Sequence, residues 1–218
     1  MKENLTELVF ILDMSGSMGP LTDDTIGGFN SMIEDQKGKT GETYVTAVLF
    51  NHYHDVLLNH IDIKEIPPMT KSDYLPFGQT ALLDAVGLTI DNIGERLANT
   101  PEEERPDNVV FVIVADGQEN CSREYSKSKV KEMIEHQQDK YSWTFMFLGA
   151  NIDAVSEAVG LGINTDFAKT YTASNVGVQS VYCSLSKAVT ATRGVGYDSK
   201  SSDSLGYKVV VDALNEVQ

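Results

Sequence analysis

The chain has 218 residues, enough for one large domain that buries its own core without help from disulfides or a structural metal. Hydrophobic residues at 41% and charged residues at 22% exclude a disordered chain, and a formal net charge of -15 argues against nucleic acid or an anionic membrane surface as partner. The same charge suits divalent cations and basic protein surfaces.

The chain opens MKENLTELVFILDMSGSMG. The apolar run Leu8 to Leu12 is too short for a signal h-region, and acidic Glu3 and Glu7 precede it. No stretch approaches the roughly 20 apolar residues of a membrane span. The expectation is a soluble, cytoplasmic protein. Cys121 and Cys183 lie far apart in sequence and make no C-x-x-C pair, so two free thiols are expected.

Leu8 to Leu12 reads as a strand buried on both faces, ending at Asp13 and the turn residues Ser15, Gly16 and Gly19. Ile26, Phe29, Met32 and Ile33 recur at helical spacing and predict a helix over 22–37. Thr43 to Phe50 is a second strand, and Val56 to Ile63 a third, antiparallel to it across the turn at 51–55. Pro67, Pro68 and Pro76 enforce an irregular crossing, after which a helix runs from Thr80 to Ala98. Val109 to Ala115 is the clearest buried strand and ends at Asp116-Gly117. Beyond it come a helix over 126–138, a strand over 143–148, a helix over 152–159, a short strand over 167–171 and a helix over 176–192. Ser199 to Ser204 reads as a polar loop. In Tyr207 to Val217 the β-branched run Val209–Val211 conflicts with a helical pattern, so its type stays open.

Alternating strands and helices argue an α/β fold: a Rossmann-like, doubly wound, mainly parallel six-stranded sheet with one antiparallel edge strand and helices on both faces. The domain is placed at 1–198, with 199–218 as a polar linker and C-terminal element. Ligands of such sheets sit beyond the carboxyl ends of the strands, where strand order reverses.

Two of the most apolar strands end in an aspartate there, Asp13 and Asp116. Carboxylates about 6 Å apart at an effective dielectric near 20 repel by about 3 kcal/mol, and a bound cation offsets that directly. Asp13-Met14-Ser15-Gly16-Ser17 puts one acid and two hydroxyls at every second position, and Gly16 relieves crowding between the serines. Thr80, in Phe77-Gly78-Gln79-Thr80, adds a hydroxyl; taken alone, a threonine at a helix start is by default an N-cap. An all-oxygen set suits Mg²⁺, Mn²⁺ or Ca²⁺ and not zinc.

The combination resembles the von Willebrand factor type A (VWA) domain and its metal-ion-dependent adhesion site (MIDAS). The parts of the family pattern stand here in order as strand-Asp13-x-Ser15-x-Ser17, Gly78-Gln79-Thr80 and strand-Asp116-Gly117, and the resemblance covers about residues 5–171. It implies Ser15, Ser17 and Thr80 as direct metal ligands, and Asp13 and Asp116 as ligands directly or through water. It further implies one coordination position left for an Asp or Glu of a partner protein, sometimes within a multi-protein assembly. No catalysis is expected, since no general base is evident beside the site.

Other readings meet obstacles in the sequence. A Ser17–Asp116–His136 esterase triad has Ser15 where its elbow wants glycine, and His136 falls inside a predicted helix. An aspartyl-phosphate phosphatase wants a second acid where Ser15 stands. His52, His54 and His60 form no complete zinc set and read as solvated loop residues. Glu119 and Asn120 are either rim or ordinary loop, Met14 and Met18 either packing or surface. A metal-assisted hydrolase, or a cation that only stabilises the fold, remains the alternative to adhesion.

Overall fold

The computed structural model describes residues 1–194 and 202–216. Six strands form one sheet: β1 (Lys2–Asp13), β2 (Glu42–Phe50), β3 (His54–Asp62), β4 (Pro106–Ala115), β5 (Thr144–Ala150) and β6 (Ala168–Tyr171). Their order is β3-β2-β1-β4-β5-β6, and every neighbouring pair is parallel except β2 with β3. The six-stranded α/β expectation holds, with β3 as the antiparallel edge.

Six α-helices join or follow the strands: α1 (Thr22–Lys37), α2 (Leu82–Asn99), α3 (Lys127–Tyr141), α4 (Ala154–Gly160), α5 (Asn175–Thr192) and α6 (Leu205–Asn215). α5 packs on both α1 and α6, and α2 packs on α3. The β1-α1-β2 connection moves one way along the sheet and β4-α3-β5 the other, so right-handed crossovers put the two groups on opposite faces. This is why β1 and β4 are covered on both sides: Leu8 to Leu12 and Val110 to Ala115 are almost wholly buried.

Several elements differ in extent from the sequence reading. β1 begins at Lys2, because its polar first half still pairs with its neighbours, Leu5 opposite Glu42 and Thr6 opposite Asn108. β3 carries a register shift against β2 near His60, whose φ of 53° is left-handed. The open C-terminal element contains helix α6. Tyr207, Val210, Ala213 and Leu214 recur at helical spacing and join the main core, so packing against α5 overrides the β preference of the valine run. Ser204 caps it, its Oγ accepting from Tyr207 N at 3.1 Å. Of the loop expected at 199–204, residues 199–201 lie outside the described set, as do Val217 and Gln218.

The chain reverses direction across the sheet between β1 and β4. Leu12 stands opposite Val114, the last pair between the two central strands; Asp13 is the final residue of β1, opposite Phe50 of β2, and Asp116 follows the last residue of β4. The fold thus brings the two acids to its switch point.

Candidate metal centre

The first half of the site is the turn after β1. Asp13 is fully buried, and its Oδ1 accepts from Ser15 N at 2.7 Å, an Asx-type turn that swings the chain back over the strand end. Ser15 Oγ and Ser17 Oγ lie 3.1 Å apart, and Ser17 Oγ donates to Asp116 Oδ1 at 2.7 Å. One polar chain therefore links the turn after β1 to the end of β4. Tyr74, fully buried in the proline-rich crossing, donates its hydroxyl to the carbonyl of Asp13 and so fixes the strand end from beneath.

Thr80 comes in from the loop before α2. A Cβ at Gly117 would stand 3.4 Å from Thr80 Oγ1 and 3.7 Å from Ser17 Oγ, so both hydroxyls face the glycine that follows Asp116. The five residues named from the sequence thus share one end of the sheet. Thr80 is not the cap of α2: the cap position is Ala81, and it makes no side-chain cap bond. Capping is supplied by the loop after β4 instead, where Glu119 Oε2 accepts from Leu83 N and Ser122 Oγ from Asp84 N. That leaves the Thr80 hydroxyl available. Asn120 and Thr80 clasp each other's backbone, Thr80 N donating to Asn120 Oδ1 and Asn120 N to Thr80 O, both at 3.0 Å. Glu119 and Asn120 are therefore supports for the site. Met14 and Met18 are buried packing residues.

The electrostatics are unbalanced. Asp13 Oδ2 is buried and has no hydrogen-bond partner. Burial pushes the Asp13 carboxyl up to about 6, the backbone and hydroxyl of Ser15 pull it partly back, and the charge of Asp116 raises it further. Asp116 is raised as well, chiefly by burial and against the hydrogen bond from Ser17. The Tyr171 phenol is pushed well above its usual range by burial and then by both aspartates. Such a region favours a proton or a cation. An unpartnered buried carboxylate oxygen beside a second acid and three hydroxyls fits a hard divalent ion, which takes oxygen ligands and tolerates waters in its shell. Among the described residues no group of three or more His, Cys, Asp or Glu side chains is placed to hold a metal. The donors here are two carboxylates and three hydroxyls, so hydroxyl ligation would have to complete the shell.

The histidines separate. Both His54 and His60 lie on strand β3 and not in a loop: His54 Nε2 sits 3.1 Å from Thr89 Oγ1, and His60, still exposed, places Nδ1 2.7 Å from Glu7 Oε2. His136 lines a cleft with Met1, Pro106 and Trp143 at the amino ends of the strands, opposite to Ser17 and Asp116. The esterase triad is therefore not assembled. His52 does reach the rim of the site, its ring lying over Gly78. Cys121 and Cys183 are both free, and burial and nearby Glu119 raise the Cys121 thiol, the opposite of what activates a nucleophile.

No protein-family model matches the sequence, and no curated protein does. Solved structures match. Proximal thread matrix protein 1 from the mussel byssus, with its MIDAS motif occupied by zinc, superposes with a TM-score of 0.59 at 19% identity over 87% of this chain and 47% of that one. A von Willebrand factor type A protein from Catenulispora acidiphila gives 0.58 at 14% identity, over 87% and 43%. Manganese-loaded TRAP protein of Plasmodium vivax gives 0.55 at 18%, over 79% and 70%. The chain has the von Willebrand factor type A fold. It spans about half the length of the mussel protein it matches.

Proposed function

We propose that this chain is a divalent-cation-dependent protein-binding domain. In this reading Asp13, Ser15, Ser17, Thr80 and Asp116 hold Mg²⁺, or Mn²⁺ or Ca²⁺, and the metal accepts an exposed Asp or Glu of a partner protein, alone or within an assembly. The observation that carries it is the buried, unpartnered Asp13 Oδ2, set against Asp116 and next to hydroxyls that already converge. Two structures of the same fold are described with metal bound, one with zinc in its MIDAS and one with manganese. When bound, the ion supplies an electrophilic centre. The residues of the chain do the rest: Ser15 N and the Ser17 hydroxyl orient the two carboxylates, and Tyr74 and Asn120 hold the loops that carry them.

Binding without catalysis is part of the proposal, as is a cytoplasmic location, which the two free cysteines suit. Among the described residues no helix is long and apolar enough to cross a membrane. One observation favours a second reading. His52 at the rim is the group that a metal-assisted hydrolase would need as base. Generic chromogenic phosphate and carboxylate esters, assayed with excess Mg²⁺ or Mn²⁺, separate the two, and turnover that disappears in His52→Ala would favour the hydrolase.

The test of the metal site is thermal unfolding of the wild type and of Asp116→Ala, each in EDTA and in excess Mg²⁺, Mn²⁺ or Ca²⁺. An ion that binds only the folded chain, at 100 times its dissociation constant, adds about 2.7 kcal/mol. The wild-type midpoint should rise and the mutant's should not. Midpoints unmoved by any of the three ions would remove the proposal's support.

A further inference from the structure

Beside the candidate metal centre lies a cluster of aromatic and apolar side chains turned to solvent. Tyr53 is 60% exposed, Leu75 60% and Phe77 47%. The His52 ring sits between two of them, 4.2 Å from Tyr53 and 5.5 Å from Phe77, the latter edge-on. Tyr53 and Phe77 are 6.4 Å apart. Large rings left in water on a soluble protein are unfavourable where nothing covers them, and a contiguous set is a mark of an interaction surface.

The cluster is fastened to the same loops as the site. Phe77 N donates to the carbonyl of Met14, which lies between Asp13 and Ser15, at 3.0 Å. Gly16 N, between the two serines, donates to Gly78 O at 3.1 Å. Gly78 adopts φ +78°, and a Cβ there would collide with His52 Nδ1 at 2.3 Å, so glycine is what lets the imidazole approach this loop two residues before Thr80. On the other side, fully buried Asn51 accepts from Tyr53 N at 2.8 Å through Oδ1, and its carbonyl accepts from Ala81 N at 2.8 Å. The rings therefore stand on backbone already held in place, which lowers the ordering cost of contact.

Charge narrows the occupant. The loops around the site, residues 14–19, 51–54, 75–81 and 117–122, contain no Lys or Arg, and the chain as a whole carries -15. A partner with several acids would find one cation and otherwise repulsion. We infer that the partner is a polypeptide segment in which one Asp or Glu is accompanied, within a few residues, by a large apolar or aromatic side chain. The acid reaches the metal and the apolar side chain lies on His52, Tyr53, Leu75 and Phe77. This inference rests on the metal-site reading above and names the chemistry of its partner.

The test uses two peptide series, acetyl-Trp-(Gly)n-Asp-amide and acetyl-Ser-(Gly)n-Asp-amide with n from 0 to 3, titrated into the full chain with and without Mn²⁺ or Mg²⁺. Binding is followed by calorimetry or NMR, and metal binding is measured separately on the same samples. At one spacing or more, the Trp peptide should bind the metal-loaded chain at least fivefold tighter than its Ser counterpart. The Tyr53→Ser/Phe77→Ser double variant should lose that advantage while its metal-induced rise in melting midpoint is kept. Equal affinities for the two series, or no peptide binding by a chain that demonstrably holds metal, overturn the inference and leave the metal site standing. A chain that binds no metal overturns both. A Trp advantage unchanged in the double variant puts the contact elsewhere and overturns the assignment to this patch.

Discussion

Two carboxylates on β1 are buried six residues apart, and the chain treats them oppositely. Glu7 is 1% exposed, and each of its oxygens is met: Thr46 Oγ1 donates to Oε1 at 2.9 Å, Arg96 Nη2 lies 2.7 Å from Oε1, and His60 Nδ1 lies 2.7 Å from Oε2. Asp13 is buried as deeply, accepts from Ser15 N on Oδ1, leaves Oδ2 without a partner and faces a second acid. One acid is neutralised within the fold. The other is held in a state that only a proton or an external cation completes. Burying a charge is common to both, so burial alone is no sign of function; a buried carboxylate that faces a second acid and no cation is what calls for an explanation.

The contrast is broken most directly at Glu7. Arg96→Met removes one counterion and keeps the bulk of the side chain, leaving a buried charge short of its partner. Breaking a buried pair costs about 3–5 kcal/mol, and with Arg96 26% exposed we expect the low end, about 3 kcal/mol, read as a fall in the urea midpoint. A silent variant would mean that Glu7 is no better satisfied than Asp13.

Asp13→Asn should do the opposite. The Asp13 carboxyl is raised from 3.8 to about 6, so in the metal-free chain folding favours its protonated form. That contribution is full below the unfolded value near 3.8 and fades as pH rises towards 6. Above it the ionised group costs up to about 3 kcal/mol relative to low pH. In EDTA, the stability of Asp13→Asn relative to wild type should therefore grow between pH 4 and pH 6 and level off beyond. With Mg²⁺ added the ranking should reverse, because the metal stabilises only the wild type. Urea midpoints of both proteins across that range decide it, and a flat difference would refute the assignment of Asp13 as the strained acid.

Smaller effects sharpen the picture. Ser17→Ala removes a hydroxyl near 3 Å from two neighbours and should weaken metal binding about tenfold, roughly 1.4 kcal/mol by calorimetric titration, with little change in the metal-free midpoint. Gly117→Ala sets a methyl against Thr80 Oγ1 and Ser17 Oγ and should weaken the ion by less than about 1 kcal/mol. A larger loss for alanine at 117 than at 17 would place the ion on the Gly117 side of the hydroxyl row.

The strands that end at Asp13 and Asp116 were legible because burial on both faces writes an uninterrupted apolar run, and the helix at Thr22–Lys37 because its apolar residues keep one period. The candidate site was legible as three short pieces, two of them after recognisable strands and one just before a recognisable helix. What escaped depended on contacts distant in sequence. Glu7 figured in the sequence only as an acid ahead of the apolar run, since its partner Arg96 lies 89 residues away. Tyr74 gave no sign within a proline-rich crossing that it would reach back 61 residues to Asp13. The helical character of Leu205–Asn215 is decided by the face it buries against α5, and three consecutive valines conceal it. Local habit alone would make Thr80 the cap of α2 and only its company in sequence argues otherwise; the capping bonds come from a loop 36 residues on.

That borrowed cap has a reciprocal half. Asp84, in the first turn of α2, accepts from the backbone of Arg123, Glu124 and Tyr125 at 2.8–2.9 Å, while Glu119 and Ser122 serve the helix in return. Residues 119–125 have no regular secondary structure, yet every rung of this exchange depends on their spacing. A surface loop of this kind would ordinarily absorb insertions and deletions freely. Here a single added or lost residue would slide the whole ladder and carry Thr80 out of step with Asp116. Among descendants of this chain, length variation should therefore collect in other surface loops and spare this one, whatever residues come to occupy it.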